Sequence, residues 1–233
     1  MRFLSALKND IDFQVKYGFY FLYAFFSVFY IAVLGVTPPA YRRLVSSLIV
    51  LSDPAMLGVF FIGGIWLLEK GEGLHLFWCV SPLRPIEYVL SKCVSLAVLS
   101  ALSAALIAFI SMGSTAHLAF LALSVFAGAV VFNLVGLWVA SYARSVNHYM
   151  ILATLPAVFL SIPPVLTAFG FSHPFLELFP GTALWHMIAS SIDPEKNAGF
   201  GAFILLLLWF GVLLWIANIR IGAALQSEGG NGE

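Results

Sequence analysis

Charge is scarce in this sequence. Only 9% of its 233 residues are Asp, Glu, Lys or Arg, against about 25% in soluble globular domains, too few to cover a water-facing surface. The eleven basic and eleven acidic residues cancel, which removes the positive field that a nucleic-acid partner requires. Cysteine is nearly absent: Cys79 and Cys93 stand alone, without metal-ligand spacing, so no disulfide framework or zinc site is indicated and both thiols are expected to stay reduced. No glycine-rich run has the form GxxxxGKS or GxxxxGKT that cradles phosphate, so the chain is not expected to hydrolyse ATP. His75, His117, His148, His173 and His186 are scattered with no HExxH pairing, which leaves a metal protease unsupported. The N-terminus, MRFLSALKNDIDFQVK, is too polar for the apolar core of a cleavable signal peptide.

What the chain does have is apolar length. Hydrophobic residues make up 61% of it and fall in continuous runs, the pattern of membrane helices rather than of alternating barrel strands. The expectation is an all-α membrane protein with six transmembrane helices at 17–36, 52–68, 92–112, 117–141, 147–169 and 199–219, the second of them beginning earlier, near Leu44, if Asp53 and Pro54 lie inside the bundle. Each run approaches or exceeds the length needed for a core of about 30 Å. Ahead of them, Phe3, Leu7, Ile11 and Val15 recur in steps of four, with Lys8, Asn9, Asp12 and Lys16 on the other side. That spacing describes an amphipathic interface helix over 3–16. The chain forms one domain: this helix, a six-helix membrane unit over 17–222, and a flexible tail over 223–233.

With the N-terminus inside, Arg2, Lys8, Lys16, Lys70, Arg84, Lys92, Arg144 and Arg220 fall on the cytosolic side, and only Arg42, Arg43 and Lys196 fall outside. The asymmetry follows the positive-inside rule and puts both termini in the cytoplasm of a cell-membrane protein. The aromatic first span, YGFYFLYAFFSVFY, reads as lipid-facing anchorage, and PFLELFPGTALWHMIASS before the last span as a broken outer helical segment sheltered by protein.

Information is densest in residues 69–92, EKGEGLHLFWCVSPLRPIEYVLSK. Ser81-Pro82 and Arg84-Pro85 break helix locally, leaving a short helix over about 73–80 on the cytosolic face between spans two and three. A helix so placed can enter a partner's groove and pass its motion to the spans it joins. Leu74, Leu76, Phe77 and Trp78 would supply apolar contacts, and Glu69, Glu72 and Arg84 charge; pattern alone equally allows charges that only end spans and set topology. Within the membrane, Asp53 reads best as a helix N-cap followed by Pro54 at the first helical position, with an intramembrane carboxylate as the alternative. Asn133 suits a bond between helices.

The same residues carry a family likeness. Glu69, Glu72-Gly73, Ser81-Pro82-Leu83-Arg84-Pro85, Glu87-Tyr88 and Ser91-Lys92 resemble the signature loop of ABC-2 type exporter permeases. With Ser52-Asp53-Pro54, Phe61-Ile62-Gly63-Gly64 and residues 13–20, FQVKYGFY, the chain is most similar to the fluoroquinolone export permeases within that family. The resemblance implies a coupling helix at 70–82, with Glu69, Glu72, Gly73, Leu74, Phe77, Trp78, Pro82 and Arg84 as its contact set. It also implies a separate ATP-binding cassette ATPase subunit that holds ATP and magnesium, a second permease copy or homologue, and no cofactor in this chain. Many relatives follow Glu-Gly with Thr and an acidic residue, whereas Leu74 and His75 stand here. The rival classes are a membrane protein of accessory or assembly role that moves nothing, and an intramembrane enzyme, for which only isolated polar groups are present.

Overall fold

The computed structural model describes residues 2–52, 57–81, 83–113, 117–193, 195–196 and 199–230. Among the described residues there is helix and no strand. The order is α1 Arg2–Lys16, α2 Phe19–Val36, α3 Pro39–Ser52, α4 Val59–Gly71, α5 Leu74–Val80, α6 Pro85–Met112, α7 Leu118–Ala140, α8 Val146–Ala168, a 3-10 turn Leu176–Leu178, α9 Pro180–Ile192 and α10 Phe200–Gly230.

Among the described residues, five helices are long and apolar enough to cross a membrane: α2, α6, α7, α8 and α10. Of the expected second span over 52–68, Ser52 ends α3 and Val59 opens α4, while residues 53–56 lie outside the described residues. At 1.5 Å per residue, neither piece alone reaches about 30 Å. Two other boundaries also shift. α6 starts at Pro85, well before residue 92, because Glu87 closes a capping box on Arg84 at the exposed helix start and Lys92 has its partners inside the protein. α10 continues to Gly230, through most of the stretch expected as a tail.

The core is the α6–α7 pair. Of their spanning stretches 61% is buried, against 22% for α2, 28% for α8 and 17% for α10, so these last three turn most of their apolar surface outward, as lipid-facing helices do. Small residues let α7 approach its neighbours, as membrane helices do where lipid supplies no hydrophobic drive between them. Asn133 in α7 is fully buried, and its Nδ2 donates to the Cys93 carbonyl of α6 at 3.1 Å.

α9 lies almost wholly inside, among α3, α7, α8 and α10. Its position depends on α8, where Pro164 has no N–H to give the carbonyl of Leu160. Gly181 of α9 packs on that carbonyl so closely that a Cβ would come within 2.2 Å of it.

Contacts distant in sequence define the two ends of the bundle. At one, Arg43 of α3 meets Asp193 after α9 at 3.1 Å, the His117 N–H donates to the Ser191 carbonyl at 2.9 Å, and Trp209 Nε1 donates to the Leu178 carbonyl at 3.0 Å. At the other, α1, α5, the start of α6 and the last turns of α10 come together, and Arg220 lies over the Tyr142 ring.

Candidate functional site

The segment that the sequence singles out forms a short helix between two turns. α4 ends at Gly71, Glu72 caps it in solvent, and Gly73 turns the chain with φ at +73°. That is the left-handed region, which a Cβ makes costly by about 1–2 kcal/mol. α5 follows and is held by its inner face: His75 is buried and packs at a tilt against Trp66 with centroids 4.2 Å apart, and Trp78 meets Tyr88 edge-on at 5.6 Å. Its other face leaves Leu76 49% and Phe77 58% exposed. Arg84 then caps α6, its backbone N–H donating to the Glu87 carboxylate at 2.9 Å, with Pro85 opening the helix. A groove of about 310 Å³ lies beside α5, lined by Arg2, Ser5 and Asn9 from α1 and by Phe77, Trp78 and Leu83.

Behind α5 sits a buried ion cluster. Lys92, at the end of the second turn of α6, has no exposed surface. Its Nζ donates to Asp10 Oδ1 of α1 at 2.7 Å and to Glu69 Oε1 of α4. Tyr88 donates from its hydroxyl to Glu69 Oε2 at 2.7 Å, and its ring lies 4.6 Å from the Lys92 ammonium. His75 Nε2 is 4.0 Å from the same Glu69 oxygen. Removing such charges from water costs several kcal/mol each, which close pairing and full hydrogen bonding offset. Two carboxylates face one ammonium, and the imbalance shows on Asp10: burial pushes its carboxyl above the ordinary 3.8, the Lys92 ammonium opposes the rise, and the Glu69 charge adds to it.

The chemistry of this cluster is mechanical. It ties α1, the end of α4 and α6 together directly behind α5, so a displacement of α5 cannot be absorbed in a loose loop. Of the residues that the sequence proposes, Glu72, Gly73, Leu74, Phe77, Trp78 and Arg84 gather at this face, while Glu69 is only 2% exposed and points its charge inward to Lys92. Pro82 and Asp53 lie outside the described residues. Asn133 is apart, inside the α6–α7 contact. Sequence reasoning missed Asp10, Gln14, Tyr88 and the inward role of Lys92. The available signal was a second four-step stripe, Ala6, Asp10 and Gln14, which is the buried stripe of α1, together with a lysine on an apolar helix.

Fold and site together define a multi-span α-helical membrane protein with an exposed short helix braced on a buried ion cluster. The model of the fluoroquinolones export permease protein family matches residues 1–223, and the chain belongs to that family. It is similar to the fluoroquinolones export permease proteins of Mycobacterium tuberculosis strains CDC 1551 and H37Rv, each 28% identical over 198 residues, which is 84% of this chain and 84% of the relative.

Proposed function

We propose that this chain is the membrane-spanning subunit of an ATP-binding cassette exporter, coupled through α5 to a separate ATPase subunit that supplies the nucleotide and magnesium chemistry. α3 and α4 together make the sixth crossing, which returns both termini to the cytosolic face of the cell membrane. Two permease copies, or this one and a homologue, enclose the pathway. Cargo is hydrophobic or amphipathic, and the names of the mycobacterial relatives point to fluoroquinolone-like drugs.

The observation that supports coupling is the two-faced nature of α5. His75 and Trp78 anchor it to the bundle while Leu76 and Phe77 stand open beside a groove, a hydrophobic arrangement suited to docking a partner helix. Glu72 and Arg84 supply exposed charge at its two ends. Glu69 braces the base of α5 through Lys92 instead of meeting the ATPase.

The test is reconstitution with the ATP-binding cassette subunit in vesicles. Phe77→Glu is expected to preserve membrane insertion and to lower association with the ATPase and drug transport together, by about tenfold. Unchanged association and transport would refute the coupling role. A chain that recruits no ATPase and moves no drug in any form would instead be the accessory protein.

A further inference from the structure

The ion pair of Asp10 and Lys92 is the first rung of a longer line. One helical step on, Gln14 Nε2 donates to Ser95 Oγ at 2.6 Å. Beyond the α1–α2 elbow, the Tyr23 hydroxyl and Ser100 Oγ are 2.9 Å apart, and Ser27 Oγ and Ser103 Oγ are 2.7 Å apart. Ser27 already gives its proton to the Tyr23 carbonyl, which leaves Ser103 as the donor in the last rung. Positions 92, 95, 100 and 103 share one side of α6, and the line covers about 16 Å, half the thickness of a membrane core. All eight residues are buried.

Two facts set this seam apart. α1 and α2 pack chiefly on α6, and the opposite face of α2 is open at Phe21, Phe25, Val28 and Phe29. The α6–α7 contact, though larger, is mainly apolar, with the Asn133 side-chain bond described above. Apolar helix faces slide at little cost in lipid, whereas a polar rung that parts there leaves both groups without water to replace the bond.

We propose that the seam welds α1, α2 and α6 into one rigid unit that moves as a body during transport, and that Asp10, Glu69 and Lys92 are positioning residues that pass the stroke from α5 into it. The proposal rests on the coupling role of α5 and adds which helices travel together. The rungs stay closed through the cycle, and the moving contacts are those that α6 makes on its other sides.

The deciding experiment places a disulfide across the last rung, Ser27→Cys with Ser103→Cys, in the full chain assembled with its ATPase in vesicles. The two side-chain oxygens are already in contact, so the cysteines suit the short Cβ–Cβ span of a disulfide. Oxidation is expected to form the bond, seen as a mobility shift without reductant, and to leave drug transport within about twofold of the reduced protein. Loss of transport on oxidation, restored by reductant, would show that the seam opens and would overturn the proposal while leaving the coupling role intact. Failure of the cysteines to cross-link would count against it equally. A reduced complex that never couples ATP hydrolysis to transport would overturn both.

A second measurement separates positioning from bulk structure. Lys92→Met is expected to lower drug moved per ATP hydrolysed by about tenfold, with ATP binding retained, and Lys92→Arg to recover part of it. Equal loss of ATP binding and transport in both variants would mark the cluster as merely structural.

Discussion

Replacing Lys92 by methionine is the sharpest probe of the buried cluster, because methionine keeps the unbranched apolar stem and removes the ammonium with its hydrogen bonds. In the wild type, one ammonium serves Asp10 and Glu69, both nearly without exposure. Without it, two carboxylates face each other in a site that water does not reach. Removing one member of a buried charge pair costs about 3–5 kcal/mol. An independent bound agrees: protonating one carboxyl of ordinary pKa near 4 at neutral pH costs about 4 kcal/mol, at 1.36 kcal/mol per unit. For a chain of this length, about 4 kcal/mol corresponds to a fall of roughly 8–16 °C in the unfolding midpoint. The assay is thermal unfolding in matched detergent or lipid nanodiscs, with midpoints compared at one scan rate because membrane proteins often unfold irreversibly.

Neutralising the whole cluster is expected to recover stability. Asp10→Asn with Glu69→Gln and Lys92→Met removes every formal charge that the trio carries, so the triple variant is expected to regain most of the loss, since neutral replacement of buried ion pairs is often close to neutral in energy. A pH dependence follows as well. With Lys92 gone, Asp10 loses the ammonium that opposes the rise of its carboxyl, so the deficit of Lys92→Met is smallest in acid and grows as pH rises through that raised value. A midpoint loss below about 3 °C for Lys92→Met, or a triple variant no better than the single one, would refute the pairing as the source of stability.

Two further outcomes follow from the same region. Gly73→Ala is expected to cost about 1–2 kcal/mol through its left-handed backbone and to weaken ATPase stimulation by displacing α5; an unchanged unfolding midpoint would show that the turn relaxes freely. Asp10→Asn tests the raised carboxyl: because the folded-state pKa of Asp10 exceeds 3.8, its contribution is fully present below that ordinary value and fades as pH rises through the raised one, so the variant gains on the wild type as pH rises above about 4. Thermal midpoints across that range, with the wild type gaining instead, would contradict the assignment.

How much was legible varies by residue. Hydropathy located α2, α6, α7, α8 and α10, because a run of apolar side chains long enough to span lipid is a local property of the sequence. The exposed helix over 74–80 was also legible, from two proline turns and a polar exit. The stretch over 52–68 was read as one span, since Asp53 and Pro54 do not say by themselves whether they interrupt a crossing or begin it. Glu69 was read as a contact charge because its position after GGIWLL matches a span end; the lysine that turns it inward lies 23 residues further on. Asp10 and Gln14 stood out on neither side of the interface helix, because their partners are 82 and 81 residues away.

The sequence by itself determined that this protein belongs in a membrane, where its long apolar helices lie, and where a short exposed helix interrupts them. Those features depend on composition and on neighbours within a few turns. Only the tertiary structure decided which polar groups face inward: Asp10, Glu69 and Lys92 are surface-like residues in the chain and the most deeply paired ones in the fold. The physical reason is that an isolated charge is acceptable near a headgroup and costly inside, so its meaning is set by the partner that packing brings to it.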